Sequence, residues 1–531
     1  MAQEPASSLP ESARPSSRLL WLLGGFALAL RLFDLGRREL WVDEGITWFF
    51  AQKLGHLELG QGLAELIRLE PTPPLYYGLI GLLLRLGGDS DLLMRLPSAV
   101  SGAFAAPLLV VLGGRLGWLR AGWTAGVLIA LHPWHLFLSR EARVYPLLLT
   151  LVLLLAISLW QALESGQRRP YLEVGVWLTL CLYCHLFGLF VGAAVALLVV
   201  VLAKDAASRR RGLVAVAVAL LLFLPYLGVA LPALAGSGAN WSQELLYAAL
   251  PEESGLPRIV EGQLVGARYH LLQRELAQPE TPPLLRWPAV ASQLVLLVAA
   301  LGWLGREKGK PRRALIFVAT LYLLPFFLPW VAGLASGKVF FQPGRHDFLV
   351  LGPLCLLLAA GWQALRERQR FLAYLLLALI LPGLLFRLAW LHLLPAGGTA
   401  MPRGEFLARA AAPGDLAIAF GIERLLGERY TRLAGGALPI ESFPEETDHH
   451  PGWSDPRPLL ARLPQLREEA RARLLKAGPG RVFTLERYAE ENARNSPGWE
   501  VDATFLQALR EQGWQVESSD STLGVRIWRR P

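Results

Sequence analysis

Residues 18–45 read RLLWLLGGFALALRLFDLGRRELWVDEG, an apolar run followed closely by the adjacent acidic pair Asp43-Glu44. A bilayer core takes roughly 20 predominantly apolar residues per helical span, so the first part of this stretch is predicted to cross. Carboxylates just beyond a span are costly at a membrane surface and point to a functional site. Working outward, further apolar runs lie near 92–112, 121–139, 144–163, 212–231, 287–304, 314–333, 347–363 and 371–394. The longer stretch 171–203 divides best into two short passes around His185, which makes eleven predicted spans. Composition agrees: 53% of the 531 residues are hydrophobic, 18% are charged, and mean hydropathy is +0.38. That is too apolar for an ordinary soluble protein.

Leu75–Leu86 (LYYGLIGLLLRL) is apolar but too short to cross, and is predicted to lie along the membrane or re-enter it. With that segment left out, the short loops at 113–120, 164–170, 204–212, 305–313 and 364–370 fall on one side and together hold sixteen Lys and Arg residues. That side is therefore predicted to be cytoplasmic, although Arg37 and Arg38 fall outside. The net charge of +9 is explained by such loops facing anionic lipid and calls for no nucleic acid.

The expected organisation follows. Residues 1–17 form a disordered cytoplasmic tail leading into an uncleaved first span. Residues 18–394 form a membrane domain with external loops at 35–91 and 232–286, and residues 395–531 a small soluble extracytoplasmic α/β domain. In that domain 458–475 reads as helical and 481–485 and 524–528 read as strands. The predicted fold class is thus a polytopic α-helical membrane protein with a C-terminal α/β domain. Cys181 and Cys184 are spaced as C-x-x-C but fall within a span, where small apolar packing is the expected use.

The chemistry-bearing residues all fall on the predicted outer side. Asp43 and Glu44 point about 100° apart if helical, so one can face a cleft while the other holds the loop. A carboxylate so placed can take a proton from a hydroxyl, although a bare acidic dipeptide also caps a helix start. Glu70 to Tyr77 (EPTPPLYY) gives the same loop a proline-fixed path. Ser139 to Tyr145 (SREARVY) sets Arg140, Glu141 and Arg143 at the outer end of a helical hairpin. Arginine suits a phosphate, with snorkelling to lipid headgroups as the alternative. Lys338 to His346 (KVFFQPGRH) adds Lys338, Arg345 and His346 before another span. His185 fits either a structural turn or a site, and Arg31 either a ligand or an i,i+3 pair with Asp34.

The ordered set W-x-D-E at Trp41–Glu44, P-P-L-Y-Y at Pro73–Tyr77, R-L-P-S-A at Arg95–Ala99, S-R-E-A-R-x-Y at Ser139–Tyr145 and Y-C-H at Tyr183–His185 resembles the bacterial GT-C glycosyltransferases. These are similar to protein O-mannosyltransferases and the aminoarabinose lipid A transferase. The resemblance covers residues 18–200 well, is looser to 394 and does not reach the C-terminal domain.

It implies a sugar delivered on polyprenyl phosphate, with Asp43 as base toward the acceptor and Glu44 positioning the acceptor or the loop. Glu141 matches a second-loop acidic position. Arg345-His346 replaces an Arg-Tyr pair common in the late loop. On this reading Arg140, Arg143 and Arg345 take the donor phosphate, with Lys338 and Tyr145 as further candidates, and attack inverts the anomeric centre.

A lipid phosphate is a good leaving group, so the chemistry needs held charge and an opposing base rather than a strong acid. No cofactor is expected to be required, although Asp43, Glu44 and Glu141 are suitable ligands for Mg²⁺ or Mn²⁺. Expected partners are the lipid-linked donor, membrane lipids and a glycan, lipid or protein acceptor; the expected place is the inner (plasma) membrane, with the site and C-terminal domain outside. A flippase or polysaccharide export component is the other class of function, but it predicts polar residues through the spans and repeat-like halves.

Overall fold

A computed structural model describes residues 15–56, 61, 63, 66–67, 72–235, 256–266, 281–336, 340–341, 344–393, 398–421, 423–445, 456–476, 480–486 and 498–531. Two compact units result, one of residues 1–35 and 63–394, the other of residues 36–62 and 395–531. Most of the predicted N-terminal tail and of loop 232–286 lies outside the described residues.

The first unit is helical. It holds α1 (Ser17–Leu32), and after α2 (Val42–His56), which belongs to the second unit, it continues with α3 (Leu75–Gly87), α4 (Asp91–Leu116), α5 (Leu119–Leu131) and α6 (Pro133–Ser139). Next come α7 (Tyr145–Ser165), α8 (Arg168–Cys184), α9 (Gly188–Leu202), α10 (Ala206–Ala235) and α11 (Leu256–Val265). The unit ends with α12 (Pro283–Arg306), α13 (Lys310–Ser336), a 3₁₀ turn over His346–Val350, α14 (Leu351–Arg366) and α15 (Arg370–Leu393).

Among the described residues, seven helices are long and apolar enough to cross a membrane. Of the other helices in predicted spans, α1, α5, α8 and α9 are shorter, at 16, 13, 17 and 15 residues. Long α4 packs against α1, α5 and α7, while α12 packs against α14 and α15. Outward-facing Trp21, Leu222, Val298 and Phe371 stay exposed, which suits helices whose solvent is lipid.

Two local features repay comparison with the sequence. The run 171–203 does divide at His185, between α8 and α9. The run 121–139, read as one span, is instead broken: α5 stops at Leu131, and Pro133 opens the short α6. Pro133 has no N–H to continue the ladder, and the His132 side chain accepts the His135 amide as a cap for the new helix.

The second unit contains α2, α16 (Ala400–Ala410), β1 (Leu416–Phe420), α17 (Glu423–Leu433), β2 (Ile440–Phe443), α18 (Pro456–Leu460) and α19 (Leu463–Lys476). It closes with β3 (Val482–Leu485), α20 (Trp499–Glu511), β4 (Gln515–Asp520) and β5 (Val525–Arg529). The sheet order is β2-β1-β3-β5-β4, with β1 parallel to β2 and β3, and β5 antiparallel to β3 and β4. Helices cover both faces. Ile418, Phe420 and Trp528 pack with Leu466, Leu474 and Phe505 on one side. On the other, Ala417, Ala419 and Phe483 pack with Leu407. That two-sided cover explains why LAIAF and VFTL are apolar without alternation. The helical and strand stretches read from the sequence correspond to α18 with α19, to β3 and to β5.

Asp502 on α20 supplies a pH handle on this domain. The residue is partly buried overall, but its carboxyl is desolvated and lies beside Glu486, and its pKa rises from 3.8 to about 8. Between those values the unfolded chain releases a proton that the folded chain keeps. The stability this group contributes is therefore fully present below about pH 4 and is lost as pH rises toward 8. Asp502→Asn is expected to slow hydrogen exchange across 499–511 at pH 8 and raise the melting temperature by roughly a few degrees, with little change at pH 4. Equal effects at both pH values would refute this.

Candidate functional site

Within the membrane unit, three separated connections converge. The first is the turn between α6 and α7, which carries Arg143. The Ser98 hydroxyl donates to the Arg143 carbonyl at 2.7 Å, and because its one proton is spent there, the Tyr76 hydroxyl donates to Ser98 at 2.6 Å. Tyr76 belongs to P-P-L-Y-Y and Ser98 to R-L-P-S-A, so three of the sequence motifs meet in one hydrogen-bonded chain. Nothing in their spacing predicts it. The Arg143 guanidinium then lies 5.7 Å from the centre of the Tyr145 ring.

The second connection is the α8–α9 turn. Gly188 is required there, because a Cβ would press against the Cys181 backbone. The Phe187 amide donates to His185 Nδ1 at 3.1 Å, so a neutral His185 carries its proton on Nε2. Burial first, and the charge of Arg143 second, push its pKa down to about 4. The third connection is the loop before α14, where the Trp134 indole N–H donates to Gly344 at 2.8 Å next to Arg345. The His346 ring lies 4.2 Å from that of Phe187 and 5.5 Å from that of His185.

Tyr145, His185, Phe187, Arg345 and His346, with Leu148 and Leu349, line one crevice. In this structure the crevice is closed, with no room for a water molecule.

The remaining candidates are placed otherwise. Arg140 donates to the Phe33 carbonyl at 2.8 Å and approaches His392 Nδ1 at 3.4 Å, which ties the end of α1 to α15. Glu141 is buried, and its carbonyl accepts the Arg143 amide at 2.8 Å. Lys338 lies outside the described residues. Arg31 is buried and bonds the Ala27 carbonyl and His135 Nδ1, both at 2.7 Å, rather than pairing with Asp34.

In the second unit, Asp43 and Glu44 are both buried in the first turn of α2. The helix start favours negative charge there. Glu44 reaches back to accept the Trp41 amide at 3.3 Å, the return half of a capping box. The helix-start role weighed for the pair therefore falls on Glu44. Among the described residues no three His, Cys, Asp or Glu side chains are grouped so as to hold a metal ion.

The second unit also has an open cleft of about 870 Å³ at the amino ends of β1 and β2, where Arg473 is already held by Glu441, Glu445 and Glu469. Parallel sheets bind ligands at the opposite, carboxyl ends of their strands.

Residues 71–228 match the family model described as dolichyl-phosphate-mannose-protein mannosyltransferase. Among solved structures, the chain is similar to ArnT from Cupriavidus metallidurans bound to undecaprenyl phosphate. The TM-score is 0.58 at 12% identity, over 97% of this chain and 98% of that one. It is also similar to the oligosaccharyltransferase AglB from Archaeoglobus fulgidus in complex with an inhibitory peptide and a dolichol-phosphate. Here the TM-score is 0.54 at 12% identity, over 97% of this chain and 74% of that one. A third similar structure, an Archaeoglobus fulgidus oligosaccharyltransferase in complex with Zn and sulfate, gives a TM-score of 0.55 at 13% identity, over 96% of this chain and 73% of that one. No curated protein sequence matches the chain. With similarity over nearly the whole of ArnT and the mannosyltransferase pattern in residues 71–228, the chain has the GT-C glycosyltransferase fold.

Proposed function

We propose that this protein transfers a sugar from a polyprenyl-phosphate donor to an acceptor hydroxyl at the extracytoplasmic face of the inner membrane, with inversion at the anomeric carbon. The observation that carries the reading is the convergence of Arg143, Tyr145, His185, Arg345 and His346 from three separate connections of a GT-C membrane unit. The phosphate-bearing lipids named with ArnT and AglB support the same donor class.

Arg143 and Arg345 hold the departing phosphate, aided by Tyr145 and by the Nε2–H of a neutral His185. Asp43 takes the acceptor's proton as the new glycosidic bond forms, and the carbon–oxygen bond to the phosphate breaks with its electron pair leaving on the lipid phosphate. Arg140, held at Phe33 and His392, supports the turn rather than the phosphate. Glu141 remains a candidate second acid beside Arg143, and Lys338 a further cation of the late loop.

The test is turnover of synthetic undecaprenyl-phosphate hexoses and pentoses by the purified protein with cell-envelope extract as acceptor source, read as released undecaprenyl phosphate. Mass spectrometry of a deletion strain should show the corresponding lipid-linked sugar accumulating. No release from any donor and no accumulation would refute the reading.

Arginines supply the positive charge that a monophosphate needs, so release is expected to survive EDTA. Loss with EDTA and recovery with Mn²⁺ would refute this expectation.

A further inference from the structure

The stretch Glu39–Gly45, which carries the acidic pair, is fastened along its length to α16 and α17. The Glu39 carboxylate accepts the amides of Ala400 at 3.1 Å and Met401 at 2.6 Å, capping α16, whose own N-cap Thr399 makes no side-chain bond. Gly398 makes room for this, since a Cβ there would collide with the Glu39 carboxylate. The Leu40 amide donates to the Tyr430 hydroxyl on α17 at 2.6 Å. Beyond the acids, Gly45 sits so close to Leu426 that a Cβ would lie 3.0 Å from its methyl group. Tyr430 is itself pinned, because α16 crosses its backbone at Gly404.

We propose that Tyr430 is a positioning residue for Asp43, and that α16 and α17 thereby make the C-terminal domain part of the catalytic machinery. Leu40 directly precedes the N-cap Trp41, so the Tyr430 bond fixes where α2 begins and which way its first turn projects Asp43. The Leu40 amide is buried, and without the hydroxyl it would be left unpaired unless the segment shifts. A base displaced by a fraction of an ångström loses reach to the proton it must take. The proposal rests on Asp43 being the base.

The test combines Tyr430→Phe, which keeps the ring, with Asp43→Asn. In the full chain, Tyr430→Phe should speed exchange of the Leu40 amide and lower kcat for undecaprenyl-phosphate release about tenfold, with donor KM unchanged. On the Asp43→Asn background the same change should alter the residual rate less than twofold, because its effect runs through that carboxylate. Gly398→Ala, which displaces Glu39 from the other end, should reproduce the kcat loss. An unchanged kcat, or an equal loss with and without Asp43, overturns the positioning role while leaving the base assignment intact. Full release by Asp43→Asn alone removes the base assignment instead.

Discussion

Asp43→Asn is expected to reduce sugar transfer roughly a thousandfold while leaving the chain folded and donor binding intact, because on the proposed reading only the proton acceptor is lost. The carboxamide keeps the shape of the carboxylate, so the buried first turn of α2 tolerates it. Glu44→Gln is the informative contrast. Its carboxylate caps the helix at Trp41, and the amide oxygen can still accept that bond, so it should retain most transfer and cost at most about 1 kcal/mol of stability. Comparable losses in the two variants would mean that the acidic pair works as a unit. Retained transfer by Asp43→Asn, measured as undecaprenyl phosphate release, would end its assignment as base.

The second large effect is expected at the crevice. Arg143→Ala and Arg345→Ala should each lower kcat/KM on the order of a hundredfold, since on the proposed reading each removes a cation from the place where the leaving phosphate gathers charge. Lysine should restore only part of the loss, because a point charge cannot make two parallel bonds to one phosphate. Arg140→Ala should behave differently. Its bonds to the Phe33 carbonyl and toward His392 hold helices together, so it should lower thermal stability more than it alters donor KM. A donor KM raised most by Arg140→Ala would reverse these roles.

How much of this was legible in the sequence depends on the range of the interaction. The membrane helices follow from hydropathy, which each segment carries by itself, and the His185 turn follows from one polar residue in a long apolar run. The break at Pro133 was signalled by a proline that the apolar pattern around it outweighed. The crevice was legible as a set of residue types on one predicted side, but not its support. The chain Tyr76–Ser98–Arg143 joins residues that no local periodicity relates. The same limit hid the membership of α2. Residues 36–62 read as an external loop of the membrane domain, yet they pack with residues 395–531 through contacts such as Leu40–Tyr430 and Gly45–Leu426. In the C-terminal domain β1 was overlooked because a short Ala-containing apolar run looks the same in a buried strand and in a helix.

The joining of residues 36–62 to residues 395–531 bears on biosynthesis. The segment with the acidic pair leaves the ribosome before most of the membrane helices, whereas the helices that seat it emerge only after them. A nascent or prematurely terminated chain thus carries the carboxylate without its mounting. On the proposed function, competence for transfer therefore waits for residues 395–531, a built-in delay written into chain order.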